Sequence, residues 1–540
     1  MKILIKAVLI VPLFLASLSV ANSAVYRLSP SDNWFPVISG GSLQPGDEVI
    51  LSRGTYSDGR RLSISHQGTA ESPIIIRSEE GGMAVITRPN ASQNVINIEG
   101  AQYLILQGIE VTGGSMGIRV GSKNIVGGKR QAAFITIKDS LIHHTGEAAV
   151  TANFYGDINI GHQFLHNEIH HTSGSGEGFY LGSNNDGAGN TTSVFRDGLI
   201  EGNYIHHLNG SNIRQGDGIE IKDGSYNNII RDNVIHDIKF PGILVYGTDG
   251  NAPNIIEGNV IWSSGDNGIQ ASANAVITNN IIFDSNGSGI QSQSHQSSVP
   301  GNLTITHNTI ISNGGRVAVR VNYPTDGVLS GPIVIANNAI YSMGSGLALR
   351  LQNIPGFTVS GNIGVGSAQP SQSIEAWNPS GNPDLDFNDL TNKDVSVAVG
   401  SFLIGNADAN HIVSRDFEHT ERLDSLDVGA YLFNPNKGLD WPIQAGFKTV
   451  VIDTDQDGIQ DSLDNCVNIA NPNQRDTDGD GYGNYCDGDL NNDGNVSFGD
   501  LQIFKNRFGT TDLDADFDGN GQVSFGDLNI FRTLFGRSPG

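Results

Sequence analysis

Only two cysteines stand in 540 residues, Cys466 and Cys486, so no disulfide braces the long region before them. Aromatic residues are few at 7%, and charged residues reach only 16%, against about 25% in an average soluble domain. Basic residues are scarcer still: 31 Lys and Arg face 56 Asp and Glu, a net charge of −25. That balance excludes nucleic acid as a partner, because phosphate binding needs a clustered basic surface. An anionic ligand must instead meet local Lys, Arg or metal. Beyond Val20 no apolar run is long enough to cross a bilayer, so no membrane span is expected. The helix-rich Ala/Glu/Lys/Leu composition is missing too, whereas the 69 glycines are nearly twice the usual share of about 7% and show no collagen period. A mainly helical chain is thereby excluded.

The N-terminus is the apolar exception. Lys2 and Lys6 precede an apolar run through Ala7–Val20 and the small residues Ala21, Ser23 and Ala24. Residues 1–24 read as a secretory signal, which makes the expected location secreted, extracellular or at the cell surface. In an oxidising compartment Cys466 and Cys486 are free to pair.

From residue 139 to 362 a phrase of the form apolar-x-x-Asn-x-Ile keeps returning, as HNEIHH at 166–171, RDNVIHD at 231–237 and TNNIIFD at 278–284. Its asparagines are Asn167, Asn203, Asn233, Asn259, Asn280, Asn308, Asn338 and Asn362, spaced at 21 to 36 residues. Such spacing marks repeats of one structural unit with loops of varying length. A second strand follows each Asn, opened by glycine, as in GDGIEIK at 216–222 and PGILVYG at 241–247. Strands this short bury both faces only by stacking in parallel, coil on coil. The expected fold is mainly β, a right-handed parallel β-helix solenoid over residues 25–435 with a small C-terminal calcium-binding module. Alternation sends Ile219, Ile221, Ile243, Val245, Ile269, Ala271, Val317 and Val319 inward. A buried Asn can ladder with the Asn of the next coil. Glycosylation is the competing reading for Asn190, Asn209, Asn286 and Asn302, which carry the N-x-S/T signal. It does not account for the repeated Asn, which has Ile two residues later in seven of eight cases.

The stretch PGDEVILSRGTYSDGRRLSISHQGTAESPIIIRS at 45–78, with NWFPVISGG before it as a cap and ILQGIEVTGG at 105–114, resembles the entry coils of secreted polysaccharide lyases of the alginate lyase and chondroitinase B type. The resemblance implies an extended polysaccharide as substrate. The last coils fade near DVGAYLFNP at 427–435, and residues 436–452 read as a linker.

Residues 453–540 hold 17 Asp, no Glu, one Lys and four Arg, nearly half the net charge of the chain. Within 453–488, Asp453, Asp455, Asp457 and Asp461, then Asp476, Asp478 and Asp480, place carboxylates at alternate positions before glycine turns. Hard oxygen donors at that spacing favour Ca²⁺. With DNC at 464–466 and YCD at 485–487, this run resembles thrombospondin type 3 repeats. Residues 489–540 repeat a twelve-residue loop, DLNNDGNVSFGD at 489–500 and DFDGNGQVSFGD at 516–527. The expected ligands are Asp489, Asn491, Asp493, Asn495, Ser497 and Asp500 in the first loop. Asp516, Asp518, Asn520, Gln522, Ser524 and Asp527 are their counterparts in the second. A duplicated loop and helix ending in Asp resembles a dockerin, which implies a cohesin-like or cell-surface partner. Phe498-Gly499 and Phe525-Gly526 stand where dockerins often carry a partner-reading Ser/Thr pair.

In-register glycines at 178, 218, 242, 268 and 289 predict an outward column Tyr180, Glu220, Leu244, Gln270, Gln291. Beside it runs Gly182, Lys222, Tyr246, Ser272, Gln293, with Arg320 and Arg350 beyond. Glu220, Lys222 and Tyr246, joined by Asp217 and Glu177, then form one patch of acid, base and aromatic groups on the outer wall. Cleavage of an acidic polysaccharide by β-elimination needs the uronate neutralised, a base for the C5 proton and an acid at the leaving oxygen. Glu220 with Asp217 or Glu177 can hold Ca²⁺, Lys222 suits charge neutralisation, and Tyr246 suits proton transfer. Against the chondroitinase B pattern, Glu220 matches the second Glu of its Glu-x-Glu strand. The first Glu is unmatched, and the expected Lys and Arg fall near Ser225 and Tyr246. Two alternatives stand beside a lyase: a glycoside hydrolase or epimerase on the same fold, and a non-catalytic glycan-binding or adhesion protein. The His pairs at 143–144, 170–171 and 206–207 read as caps of coil corners, with metal ligation as the alternative.

Overall fold

The structure is a computed structural model, which describes residues 23–186, 192–313, 315–322, 327–344, 346–351, 355–370, 376–423, 425–435, 439–449, 455, 457, 459 and 464–539. All but the last two residues of the expected signal lie outside them, as do Asp453, Asp461 and Asn190. No helix among the described residues is long and apolar enough to cross a membrane.

Short strands and tight polar turns wind the chain into a right-handed parallel β-helix whose coils feed three sheets of 15, 12 and 13 strands. One coil shows the rule: Leu199–Glu201 enters the first sheet, Tyr204–Leu208 the third and Ile219–Ile221 the second, before Ile229–Arg231 begins the next coil. Inward side chains stack like on like. Ile200, Ile230, Ile256, Ile277, Ile305 and Ile335 form one buried file, each paired with the next across adjacent coils. Each such isoleucine contributes about 1.5–3 kcal/mol by leaving water. Of the residues expected inward, Val317 is only half-buried; the buried pair on its coil is Val319 and Val321.

The turn between the first and third sheets is set by two adjacent residues. The one before each ladder Asn takes a left-handed conformation, as at Gly202 (φ 64°), Asp232 (φ 56°) and Asn279 (φ 55°). Gly, Asp and Asn tolerate that region best. The Asn itself is buried, and its amide serves the neighbouring coils. Asn233 Nδ2 donates to the Ile200 carbonyl at 3.0 Å and to Asn259 Oδ1 at 2.9 Å. Its Oδ1 accepts from the backbone N–H and the Nδ2 of Asn203 at 3.0 and 2.9 Å. The same pattern runs unbroken from Asn167 to Asn362.

The N-terminal end is closed by the short helix Phe35–Ile38, with Trp34, Phe35 and Ile38 buried. Among the described residues, parallel pairing ends at Trp377–Asn378, earlier than the expected fading near 427–435. The chain then forms an antiparallel pair, Phe387–Asp389 with Asp394–Val397, and, residues 418–421 apart, belongs to the same compact unit through Pro435. Of the stretch read as a linker, residues 443–448 also belong to this unit. There the buried Lys448 ammonium donates to Asp232 Oδ1 at 2.6 Å and to the Gly258 and Phe417 carbonyls at 3.0 and 2.8 Å.

A second unit comprises residues 418–421, 436–442 and 449–540. Its two helices, Phe498–Arg507 and Phe525–Leu534, enclose a small core that includes Val496, Phe504, Phe517, Val523 and Phe531. Cys466 and Cys486 are joined in a disulfide.

Candidate active site

The strand Phe179–Leu181 pairs in register with Ile219–Ile221, and the file continues through Ile243–Val245, Ile269–Ala271 and Ile290–Ser292. Register is enforced by the glycine that opens each strand: a Cβ on Gly218 would lie 2.5 Å from the Gly242 carbonyl oxygen. Tyr180, Glu220, Leu244, Gln270 and Gln291 therefore stand in one column. Arg320 and Arg350 extend this first column, rather than lying beyond the second.

Where the columns carry chemistry, five groups converge. The Lys222 ammonium contacts Glu220 Oε1 directly and donates to the Tyr246 hydroxyl at 3.2 Å. That hydroxyl donates to Glu220 Oε1 at 3.2 Å, and His295 Nε2 lies 2.8 Å from it. Tyr180 presents its ring 4.5 Å from the ammonium, a cation–π contact. Behind Glu220, Glu177 and Asp217 each bring an oxygen within 4.8 Å of the others.

The expected outer patch is in fact an interior one. Glu177, Asp217, Glu220, Lys222 and Tyr246 are between 0 and 3% exposed, while Tyr180 and His295 beside them are half-buried. The pair Glu220–Lys222 is thus a buried ion pair and not a surface salt bridge. His295 explains part of the covering: it arrives on the loop after Ile290–Ser292, 49 residues from Tyr246, with no repeat signal to announce it. The same loop brings Ser297 and Ser298, whose hydroxyls donate to Asp223 at 2.5 and 2.9 Å and satisfy that carboxylate. Lys239, on an adjoining turn, donates to the Ile213 carbonyl and takes no part in the cluster.

Burial sets the protonation of each group. Burial opposes the charge on Lys222, but the contact with Glu220, aided by Tyr246 and Tyr180, outweighs it and holds the ammonium protonated. Burial and then the Glu220 charge push the Tyr246 phenol up, so it stays protonated and is an acid, not a base. Burial and then Lys222 push the His295 imidazole down and keep it neutral, able to accept a proton. Burial raises Glu177 and raises Asp217 well above the carboxylate range, with Glu220 and Glu177 adding to the latter.

Four carboxylate oxygens in this pocket, both of Glu177, Asp217 Oδ1 and Glu220 Oε2, have no hydrogen-bond partner. Three carboxylates against one ammonium leave two uncompensated negative charges in a buried space, which only two protons or one divalent cation can balance. The donors are all hard oxygens, so the residues fit Ca²⁺.

In the second unit the two Asp-terminated loops close alike. Gly494 (φ 88°) and Gly521 (φ 92°) turn the chain at the sixth position. Asp489 accepts from the N–H of Asp493 at 3.1 Å, and Asp516 from that of Asn520 at 3.1 Å. Asp500 accepts from the backbone of Asn491 and Ser497 at 3.2 and 2.8 Å, and Asp527 from that of Asp518 and Ser524 at 3.0 and 2.8 Å. The N–H groups of Asn495 and Gln522 donate to Asp493 and Asn520. Asp455 and Asp457 gather with Asp464, and Asp476 with Asp478 and Asp480, at distances one cation can span. Burial and then the neighbouring aspartates push Asp487 up to about 7. Phe498 and Phe525 are exposed, each edge-on to another ring, Phe535 and Phe508. On the expectation that these loops hold Ca²⁺, EDTA loosens this unit first, and limited proteolysis then cuts within 453–540 while the solenoid stays intact. Equal protection with and without chelator would remove calcium from the unit.

A family model described as a right handed beta helix region matches residues 167–322. No curated protein matches the chain. Among solved structures, pectate lyase Pel9A is 15% identical with a TM-score of 0.46, covering 77% of this chain and 98% of that one. The PL6 family alginate lyase AlyGC is 18% identical at 0.45, covering 66% and 53%. The mannuronan C-5 epimerase AlgE6 A-module of Azotobacter vinelandii is 16% identical at 0.40, covering 60% and 87%.

Proposed function

We propose that the protein is a secreted polysaccharide lyase that cleaves a uronate-containing glycan by β-elimination, with the polymer lying across Tyr180 and His295. The reading is carried by one observation: three buried carboxylates, four of whose oxygens lack partners, lie beside a charged lysine and a Tyr–His pair. Glu177, Asp217 and Glu220 are the residues that hold calcium, which when bound supplies positive charge to neutralise the substrate carboxylate. Lys222 adds a fixed charge and positions Glu220. The neutral His295 accepts the C5 proton, the C4–O bond breaks as the C4–C5 double bond forms, and Tyr246 gives its proton to the leaving oxygen.

Alginate, pectate and glycosaminoglycan panels in calcium buffer test this. The expected result is ultraviolet absorbance from the new double bond conjugated to the carboxylate. New reducing ends without that absorbance would make the protein a hydrolase. The burial of the same cluster supports a second reading, non-catalytic glycan binding, which retention on a polymer matrix without any product would establish. The C-terminal unit is read as a calcium-stiffened attachment module with a cohesin-like or cell-surface partner.

A further inference from the structure

Seven histidines lie along the 13-stranded sheet, five in its strands and His144 and His171 directly after theirs, away from the sheet that carries the acidic cluster. The strands Leu141–His143, Glu168–His170, Tyr204–Leu208 and Val234–Ile238 pair in register, so His143, His170, His206 and His236 fall in one column. Their ring centroids are 4.9, 5.0 and 5.5 Å apart, and Trp262 closes the stack at 4.3 Å from His236. The following residues form a second column, His144, His171 and His207, stacked at 5.2 Å, with Asp237 next.

Corner capping, the reading suggested by sequence, requires an imidazole to bond a backbone group. None of the seven rings does so among the described residues. Within each pair one ring donates its Nδ1–H to the Nδ1 of the other instead, at 2.6, 2.7 and 2.6 Å. The Nε2 atoms of His143 and His206 are each 3.2 Å from a carboxylate, Glu110 and Glu168. An Nε2–H donated to Glu makes Nδ1 of His143 and of His206 the acceptor of the partner ring's Nδ1–H, a lone pair that a cation can take in place of that proton. That carboxylate–imidazole arrangement is what fixes metal-ligating histidines.

We propose that this strip binds two Zn²⁺ ions, one at His143, His144 and His170 and one at His207, His236 and Asp237. In each triad one donor atom per residue lies within 4.8 Å of the other two. Nitrogen-rich donors select a borderline transition metal over Ca²⁺, so the two metals sort between the strip and the oxygen sites by ligand type. A catalytic-type zinc takes three protein ligands and leaves one position open, which each triad matches.

Titration calorimetry with ZnCl₂ on the full chain, in excess Ca²⁺ to fill the oxygen sites, tests the assignment. Wild type is expected to take two equivalents, His144→Asn one, and His144→Asn/His207→Asn none. Asn tolerates the left-handed backbone at these positions (φ 51° and 53°), so folding is preserved and far-ultraviolet circular dichroism should be unchanged. Glu110→Gln is expected to weaken the first site about 10–100-fold without removing it. No binding by wild type, or unchanged stoichiometry in the double variant, overturns the proposal.

Discussion

Asn233→Ala is expected to lower the stability of the solenoid by about 2–5 kcal/mol, although the residue touches no proposed ligand. The substitution removes little volume but leaves the Asn203 N–H unpaired and takes one hydrogen bond each from the Ile200 carbonyl and Asn259 Oδ1, in a place that water does not reach. Each buried orphan costs about 1–3 kcal/mol. Asn233→Asp retains an acceptor for Asn203 yet cannot donate to Ile200 or Asn259 and sets a charge against Asn259 Oδ1, so it should also destabilise. Exposed Asn209→Ala should shift stability by less than about 0.5 kcal/mol. Urea unfolding followed by far-ultraviolet circular dichroism reads all three. An unchanged midpoint for Asn233→Ala would mean that the ladder is decoration and that the aliphatic files alone hold the coils.

That ladder was legible in the sequence because one residue must recur at one corner of every coil. Asn keeps its place two residues before Ile, whatever the length of the loop between coils. The glycines that open the second strands made register legible as well, and with it the column of Tyr180, Glu220 and Leu244. A shorter second ladder, Asn228 to Asn254, repeats too few times to announce itself. Depth was not legible either. Period-two alternation says which side chains leave the core, but whether they then meet solvent depends on loops whose path no repeat encodes. The loop bearing His295, Ser297 and Ser298 covers the Lys222 region and turns an outer wall into a pocket. The His pairs were visible as words in the sequence, but that their rings bond one another and not the backbone was not.

Burial also changes what removal of Lys222 should do. An exposed patch would tolerate Lys222→Met with almost no change in the thermal transition, the outcome implied by reading the cluster as outer wall. In the structure, Met leaves Glu177, Asp217 and Glu220 facing one another without a counter-charge. Breaking a buried pair from one side costs about 3–5 kcal/mol, and elimination activity should vanish with it. The loss should depend on pH in a definite direction. Asp217 and Glu177 have folded values raised above their ordinary 3.8 and 4.5. Their contribution is therefore fully present below that range and is lost as pH rises through the raised values. Metal-free Lys222→Met should be nearest to wild type in acid and furthest from it at neutral pH. Calcium, by binding the ionised carboxylates, should flatten that slope in the wild type. Lys222→Met/Glu220→Gln removes both members of the pair and should regain part of the stability without regaining activity. Unfolding measured across pH, with and without Ca²⁺, decides the matter. A single variant as stable as wild type at neutral pH would place solvent where the structure buries these carboxylates, and the calcium-assisted reading of the cluster would fall with it.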